Sequence, residues 1–352
     1  MDLSVFFAGT GGSIPTARRG LPAVLVRRGG DRILFDCGEG TQRQLVQSVG
    51  LTELTEIFLT HFHADHWLGL PGLLKTFDLR ARERPLAVHG PAGLRELLTL
   101  AMRVAGRVRF DLELVELSPG DVLERDGYKI APVPVAHRIS NALGYVLYED
   151  PRPGEFDPAA ATALGLVPGP EFGQLQRGEI VRGVSPDQVL GPPRPGRKIV
   201  ISGDTSPCET LAIASHEADL LLHEATFSED ERDRAAETGH STAAQAATLA
   251  RDADVTALAL THFSTRYPVG VLRDEARAIF PRTMLPRDFD TIEVPFPERG
   301  EPELVRWEDR QAAEAEDRQA AEAEDRQAAE AEDRQAAEAE AEETEPVGDR
   351  GL

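Results

Sequence analysis

The amino-acid sequence predicts an α/β domain whose functional side chains lie along one sheet edge. Three observations carry this. Apolar runs of strand length end on or just before metal-ligand-type side chains: Ile57-Phe-Leu59, Val133-Pro-Val-Ala-His137, Lys198-Ile-Val-Ile-Ser-Gly-Asp204, Asp219-Leu-Leu-Leu-His223-Glu224 and Val255-Thr-Ala-Leu-Ala-Leu-Thr-His262. Helix-like segments alternate with them, among them Ala92 to Val104 and an Ala-rich stretch reaching about Ala253. The stretch Leu59-Thr-His-Phe-His-Ala-Asp-His-Trp-Leu68 packs His61, His63, Asp65 and His66 into six residues. Repeated strand-then-helix units with polar residues at strand ends describe a sheet with its site at one edge.

Taken in order, Leu3 to Ala8 reads as a strand running into the turn Gly9-Thr-Gly-Gly-Ser-Ile-Pro-Thr16. That turn is like a phosphate-cradling loop only weakly, because glycine clusters usually just make turns. Pro22 to Val26 and Arg32 to Phe35 read as a hairpin around Gly29-Gly30. Thr41 is expected to cap a helix from about Gln42. Leu68 to Leu79 reads as helix despite Pro71, and Leu86 to Val88 as strand. Asp150 to Arg197 holds nine prolines and little periodicity, so it is expected to be an inserted, flexible segment, functional or without a role. Ser241 or Thr242 is expected to cap the Ala-rich helix. From Glu308 to Ala339 the octad Glu-Asp-Arg-Gln-Ala-Ala-Glu-Ala occurs four times. Its composition favours helix, but Ala is its only apolar side chain, so it has no stripe to bury. Residues 301–352 are therefore expected to be an acidic tail, helical or disordered, behind a domain of residues 1–300. A coiled coil would need a seven-residue repeat with larger apolar residues.

With 352 residues and 41% apolar content the chain has enough material for a real core. Its charge is lopsided, 60 acidic residues against 38 basic, a net of −22, and only Lys75, Lys129 and Lys198 are lysines. Residues 301–352 contribute 19 acidic and 6 basic residues, net −13, which leaves −9 for residues 1–300. Such a surface suits a cytoplasm of high ionic strength. It also argues against binding nucleic acid by bulk attraction. Cys37 and Cys208 cannot make a disulfide framework, which points to a reducing compartment. The N-terminus lacks a basic segment and no apolar run approaches membrane-spanning length, so neither a signal peptide nor a membrane contact is expected, and the expected location is the cytoplasm.

Imidazole and carboxylate at the density of residues 61 to 66 suit zinc. In an extended segment alternate residues point the same way, so His61 and His63 can reach one ion while Asp65 and His66 reach a second. Of nine histidines, six lie in this cluster or at strand ends and His240 at a helix start; only His89 and His216 lack an evident role. One two-metal arrangement uses most of the others: His61, His63 and His137 on the first ion, Asp65, His66 and His262 on the second, with Asp204 bridging. Two zinc ions per subunit would acidify a shared water and clamp a phosphoryl group. Phosphodiesters, lactams, thioesters and sulfate esters all fit that chemistry, and spacing alone does not choose among them.

His61-Phe-His-Ala-Asp-His66 resembles the signature of the metallo-β-lactamase fold, an αββα sandwich of two mixed sheets flanked by helices. Within it, residues 1 to about 297 resemble ribonuclease Z of the archaeal, halophilic type. The stretches that carry this are Gly9–Thr16, Phe35-Asp-Cys-Gly-Glu-Gly-Thr-Gln42, Leu70-Pro-Gly-Leu73, Ser202-Gly-Asp-Thr205, His223-Glu-Ala-Thr226, His240-Ser-Thr242 and Thr261-His-Phe-Ser-Thr-Arg-Tyr267. The resemblance implies a zinc-dependent endoribonuclease acting on precursor tRNA, with no DNA substrate, commonly as a homodimer. It cleaves after the discriminator nucleotide to leave a 3′-hydroxyl on the tRNA and a 5′-phosphate on the trailer. It implies a tRNA-binding arm at 150–197, marked by Gly169, Pro170, Leu175 and Gly178. It also implies that Asp65 accepts a proton from the attacking water and that His240, oriented by Glu224, protonates the leaving oxygen. Arg266 is expected on the phosphate. The family often has Arg-Asn after Pro-Thr, and this chain departs from that with Arg18-Arg19-Gly20. Two arginines suit an RNA phosphate, so Arg18 and Arg19 are still expected on RNA, with Arg177 of the arm extending the basic path. The rival reading is a small-molecule hydrolase of the same fold, a phosphodiesterase or arylsulfatase-like enzyme, for which the arm is superfluous. A non-catalytic RNA-binding protein would not need the full ligand set.

Overall fold

The computed structural model describes residues 2–51, 53–319, 321 and 326. The chain divides into two compact units, Met1–Leu304 and Val305–Leu352. In the second, residues 307–319 are helical, with Arg310 Nε 3.2 Å from Glu314 Oε1 one turn on. Most of the octad repeat lies outside the described residues.

The first half of unit one runs β1 (Leu3–Gly9), β2 (Ala23–Arg28), β3 (Asp31–Phe35), α1 (Thr41–Gln47), β4 (Glu56–Phe58), α2 (Ala64–Trp67), α3 (Leu70–Leu79), β5 (Leu86–Pro91), α4 (Leu94–Ala105) and β6 (Leu112–Leu117). The second half begins with β7 (Leu123–Arg125), β8 (Tyr128–Pro134) and β9 (Leu143–Glu149), then α5 (Pro158–Ala163) and α6 (Pro170–Gln176). It continues through β10 (Lys198–Ile201), α7 (Glu209–Ser215), β11 (Leu220–Glu224), α8 (Arg232–Thr238), α9 (Ala243–Asp252), β12 (Ala257–Thr261), α10 (Val269–Ile279) and β13 (Thr283–Met284). β14 (Thr291–Glu293) returns to pair with β1, and β15 (Glu303–Val305) follows. The first sheet is ordered β15-β14-β1-β2-β3-β4-β5-β6 and the second β13-β12-β11-β10-β9-β8-β7. Both mix parallel and antiparallel pairs.

Central strands such as β1, β11 and β12 are apolar at successive positions because the sheet is covered there on both faces. In β1, Leu3, Val5 and Phe7 face the second sheet, while Phe6 and Ala8 face the helices. Leu222 and Ile199 meet the first set across the inter-sheet core. Leu45, Leu70, Leu74 and Leu94 cover the outer face of the first sheet, and Leu211, Ala246, Ala250 and Leu272 that of the second. The result is the helix–sheet–sheet–helix sandwich that the sequence led us to expect. Sequence periodicity gave no assignment for β6, β7, β9, β13 or β14, which are short or lack clean alternation.

Two local expectations resolve differently. Gly40, at φ 87°, precedes α1 as its N-cap, and Thr41 instead donates its hydroxyl to the Gly38 carbonyl at 2.7 Å. A left-handed cap position suits glycine better than threonine. Thr242 does cap α9, in a reciprocal box with Gln245. Residues 150–197 connect antiparallel neighbours, since Lys198 pairs with Tyr148 across β9 and β10. This connection has local order of its own. Asp157 caps α5 by accepting from the Ala159 and Ala160 amides. Ala161, Leu166, Leu175, Val181, Val184 and Val189 form a small separate core. So few apolar positions, spaced by turns, leave no periodicity to read, which is why the segment looked featureless.

Candidate metal centre

The site lies where strands end. The chain leaves β4 at Phe58, crosses the edge and presents Thr60, whose amide donates to Asp36 Oδ1 at 2.8 Å. His61 and His63 follow in extended backbone, and His63 starts α2 at φ −66°, ψ 146°. The helical turn of α2 then turns Asp65 and His66 away from that alternation. His137 follows β8, Asp204 follows β10, Glu224 ends β11 and His262 follows β12. His262 adopts φ 59°, a left-handed backbone. It leaves no room beside it: a Cβ on Gly12 would lie 2.4 Å from its Nδ1. The glycine loop is therefore a wall of this site, and its Ser13 amide donates to Asp65 Oδ2 at 2.7 Å.

The ligand atoms fall into overlapping groups, each within 4.8 Å: His61, His63, His137 and Asp204; Asp65, His66 and His262; and Asp204, His240 and His262. Asp204 Oδ2 lies between them, 3.3 Å from His66 Nε2, 3.3 Å from His262 Nε2 and 3.7 Å from His61 Nε2.

The hydrogen bonds behind these groups fix which nitrogens face inward. Thr60 Oγ1 donates to Asp36, so at 3.0 Å it accepts from His61 Nδ1. Thr226 Oγ1 donates to Glu224 Oε2, so it accepts from His262 Nδ1 at 2.8 Å. His66 Nδ1 donates to Asp36 Oδ2 at 2.8 Å, and His137 Nδ1 to the Gly239 carbonyl at 2.7 Å. All four rings thus turn a lone-pair-bearing Nε2 inward, the arrangement that outer partners impose on metal-binding histidines. His61 Nε2 and His137 Nε2 both lie 3.0 Å from His63 Nδ1, which has at most one proton to share. His66 Nε2 is buried with no hydrogen-bond partner. Lone pairs and carboxylates facing one another in a buried space fit a divalent cation.

The electrostatics agree. Burial holds His61 well below the usual imidazole range and also lowers His63 and His137. Burial pushes the Asp65 and Asp204 carboxyls up, but His262 and His66 prevail and hold both well below the carboxylate range. Burial opposes a charge on His66, yet Asp204 and Asp36 raise it well above its ordinary value. A cation at Nε2 would take the place of the proton those carboxylates attract.

Beside this cluster His240 Nδ1 lies 2.7 Å from Glu224 Oε1. Burial would lower His240, but the Glu224 carboxylate prevails and lifts it to about 9. Glu224 also accepts from the Thr205 amide at 3.0 Å and the Thr226 amide at 3.1 Å, so both its oxygens are fixed.

The structure thus brings together His61, His63, Asp65, His66, His137, Asp204, Glu224, His240 and His262. It places the remaining expected residues elsewhere or otherwise. Arg18 is exposed. Arg19 stacks over the Phe263 ring at 4.6 Å and bonds Thr10 Oγ1, so it holds the glycine loop. Arg266 Nη1 lies 3.5 Å from Glu231 Oε1, and Arg177 pairs with Glu179 at 3.0 Å. Leu175 is fully buried in the small core of residues 150–197, where its side chain packs that segment. Gly169 at φ 131° and Gly178 at φ 90° flank α6 in backbone that favours glycine, and Pro170 starts the helix. His223 lies buried in β11, its Nδ1 on the Glu224 carbonyl at 2.8 Å, outside the ligand set. His89 bonds Glu56 at 2.9 Å and His216 is exposed, both without a place in the site. Sequence reasoning missed the roles of Asp36, Thr60 and Thr226. Asp36 was findable, since it follows an apolar strand as Asp204 does. The two threonines carried no distinguishing signal.

The model of the metallo-beta-lactamase superfamily matches residues 19–262. Ribonuclease Z of Methanosarcina acetivorans is 43% identical over 302 residues, covering 84% of this chain and 99% of its own length. The chain belongs to the ribonuclease Z family. Ribonuclease Z of the halophile Halorubrum lacusprofundi is 45% identical over 311 residues, 86% of this chain and 100% of its own. The crystal structure of human tRNase Z, short form, superposes with a TM-score of 0.62 at 30% identity, covering 83% of this chain and 99% of that one. A ribonuclease Z family member with this His/Asp cluster has the donor set of a divalent metal site. No helix among the described residues is long and apolar enough to cross a membrane.

Proposed function

We propose that this chain is a zinc-dependent endoribonuclease that removes the 3′ trailer from precursor tRNA. The observation that carries the reading is the placement of the Glu224–His240 pair against the converging His/Asp cluster at one sheet edge, in a ribonuclease Z family chain. His61, His63, His137 and Asp204 would hold one ion, and Asp65, His66 and His262 a second, with Asp204 shared. Two zinc ions held there would supply a water of lowered pKa and would neutralise charge on the scissile phosphate.

The chain's own groups handle the protons. Asp65 is ionised, with Oδ2 fixed by the Ser13 amide, and it accepts a proton from the attacking water. The phosphorus–O3′ bond breaks. His240, held through Nδ1 by Glu224, gives the proton at Nε2 to the departing 3′-oxygen. The tRNA leaves with a 3′-hydroxyl and the trailer with a 5′-phosphate, and no 2′-hydroxyl is consumed. Arg18 and Arg266 are the exposed cations assigned to RNA phosphate. Residues 150–197, with Gly169, Pro170 and Gly178 shaping their helix, are assigned to the tRNA body, in a cytoplasmic homodimer in which each subunit's segment serves its partner.

The test is a metal-loaded sample at high salt with a precursor tRNA bearing a 3′ trailer. The expected product is a trailer with a 5′-phosphate, and failure to release one sinks the proposal. His240→Gln should slow this cleavage on the order of 10²–10⁴-fold, as loss of a general acid does. The same variant should slow bis(p-nitrophenyl) phosphate far less, because that leaving group departs without a proton. Equal losses on both substrates remove His240 from the acid role.

A further inference from the structure

Residues 150–197 leave and re-enter the second sheet at Glu149 and Arg197, and the structure holds that base from one further direction. Past the end of β9 and before β10 the two strands stay paired. Arg152 and Arg194 exchange both backbone hydrogen bonds, at 2.8 and 2.9 Å, and the Asp157 amide donates to the Val189 carbonyl at 2.8 Å. A Cβ on Gly154 would lie 1.9 Å from the Gly191 carbonyl oxygen, so the strands are pressed together there. The segment is therefore a two-stranded stem carrying a small-cored head, not a loose loop. At its root Glu149 accepts from Arg28 at 2.8 Å and from Arg197 at 2.7 and 2.8 Å, all buried. Outside that root lies the chain after β14. The Phe296 ring is covered by two guanidinium groups, Arg152 at 3.5 Å and Arg197 at 3.9 Å. Glu298 reaches both strands of the stem: Arg152 Nη1 at 2.7 Å and Nη2 at 3.0 Å, Arg194 Nη1 at 3.3 Å.

We propose that Phe296 and Glu298 are positioning residues for precursor tRNA: they brace both strands of the stem and hold the head in one orientation. This rests on the reading that the chain processes precursor tRNA and that the head contacts it. None of the bracing groups belongs to the His/Asp cluster, so the brace acts on substrate binding alone. The arrangement suits such a function. A stacked arginine pair and a carboxylate bridging two strands restrain a direction, whereas any one exposed ion pair restrains little. A head held in its binding orientation spends less affinity on ordering when RNA arrives.

The experiment compares the full, metal-loaded chain with Glu298→Gln, Phe296→Leu and the milder Arg194→Gln. Each is assayed on a precursor tRNA with a 3′ trailer and on bis(p-nitrophenyl) phosphate. Glu298→Gln is expected to raise KM for precursor tRNA by about tenfold with kcat retained, to leave the small diester unchanged, and to speed proteolytic cutting within residues 150–197. Phe296→Leu should act in the same direction and Arg194→Gln more weakly. If all three variants match the unmodified chain on precursor tRNA, the brace has no positioning role. Equal loss on both substrates makes it a matter of general stability and overturns the proposal. If the unmodified chain releases no trailer, the parent reading fails and the brace's role in tRNA binding falls with it.

Discussion

The His/Asp cluster and the 150–197 segment are built on opposite principles. In the cluster the ligands are buried or half-buried, and four of the five imidazoles are held from behind by an acceptor, such as Asp36 beneath His66 and Thr226 beneath His262. In the segment the head has a core of six small and medium apolar side chains and is held at one end. The two regions should therefore differ in the changes they tolerate. If the proposed function holds, loss of a metal ligand is expected to reach the chemistry on every substrate, while changes in the segment are expected to reach only a substrate large enough to touch it.

The strongest break in that comparison is Asp65→Ala. It should lower cleavage on the order of 10²–10⁴-fold on both precursor tRNA and a small phosphodiester, while tRNA binding by gel shift stays measurable. Surviving cleavage would remove Asp65 from its assigned role. Deleting residues 155–190 should do the reverse, weakening precursor tRNA processing by about tenfold or more with the small diester untouched. Comparable losses on both substrates would dissolve the contrast between the two regions. Asp36→Ala sharpens the cluster's side. It removes the acceptor that fixes His66, so metal affinity should fall about 10–100-fold, read as metal retained after dialysis against a chelator. Unchanged retention would make Asp36 a merely structural residue.

The smallest effect tests the scaffold away from both regions. Burial pushes the Glu56 carboxyl up, but hydrogen bonds from His89 and Arg125 prevail and hold it at about 2, down from 4.5. Its native pKa is depressed, so its contribution is complete above the unfolded value and is lost as pH falls from about 4.5 towards 2. That contribution is about 1–3 kcal/mol. Thermal unfolding of the unmodified chain should therefore weaken across that window more steeply than that of Glu56→Gln. Parallel curves would show that the pair contributes nothing.

The cluster was legible in the sequence because its chemistry is rare there. His61, His63, Asp65 and His66 stand together, and His137, Asp204 and His262 each close an apolar run, so residue type and strand position agree. What supports them was not legible. Thr60, Thr226 and the Gly239 carbonyl act through geometry that any threonine or backbone group can offer. That Arg19 packs on the Phe263 ring was not legible either, because exposed arginine and packed arginine are written the same way in sequence. Leu175 sat in a stretch too poor in apolar residues to suggest a core, yet a core is where it lies. The sandwich itself was legible through its long buried strands, whereas β13 and β14, of two and three residues, depend on partners distant in sequence.

On the proposed mechanism a water, and no group of the RNA, attacks the phosphorus after the discriminator nucleotide. Processing of a precursor tRNA in oxygen-18 water, with mass spectrometry of both products, tests it most directly. The expected products are a trailer whose 5′-phosphate carries one heavy oxygen and a tRNA with an unlabelled 3′-hydroxyl. A phosphate left on the tRNA end, or a trailer without the label, would contradict it.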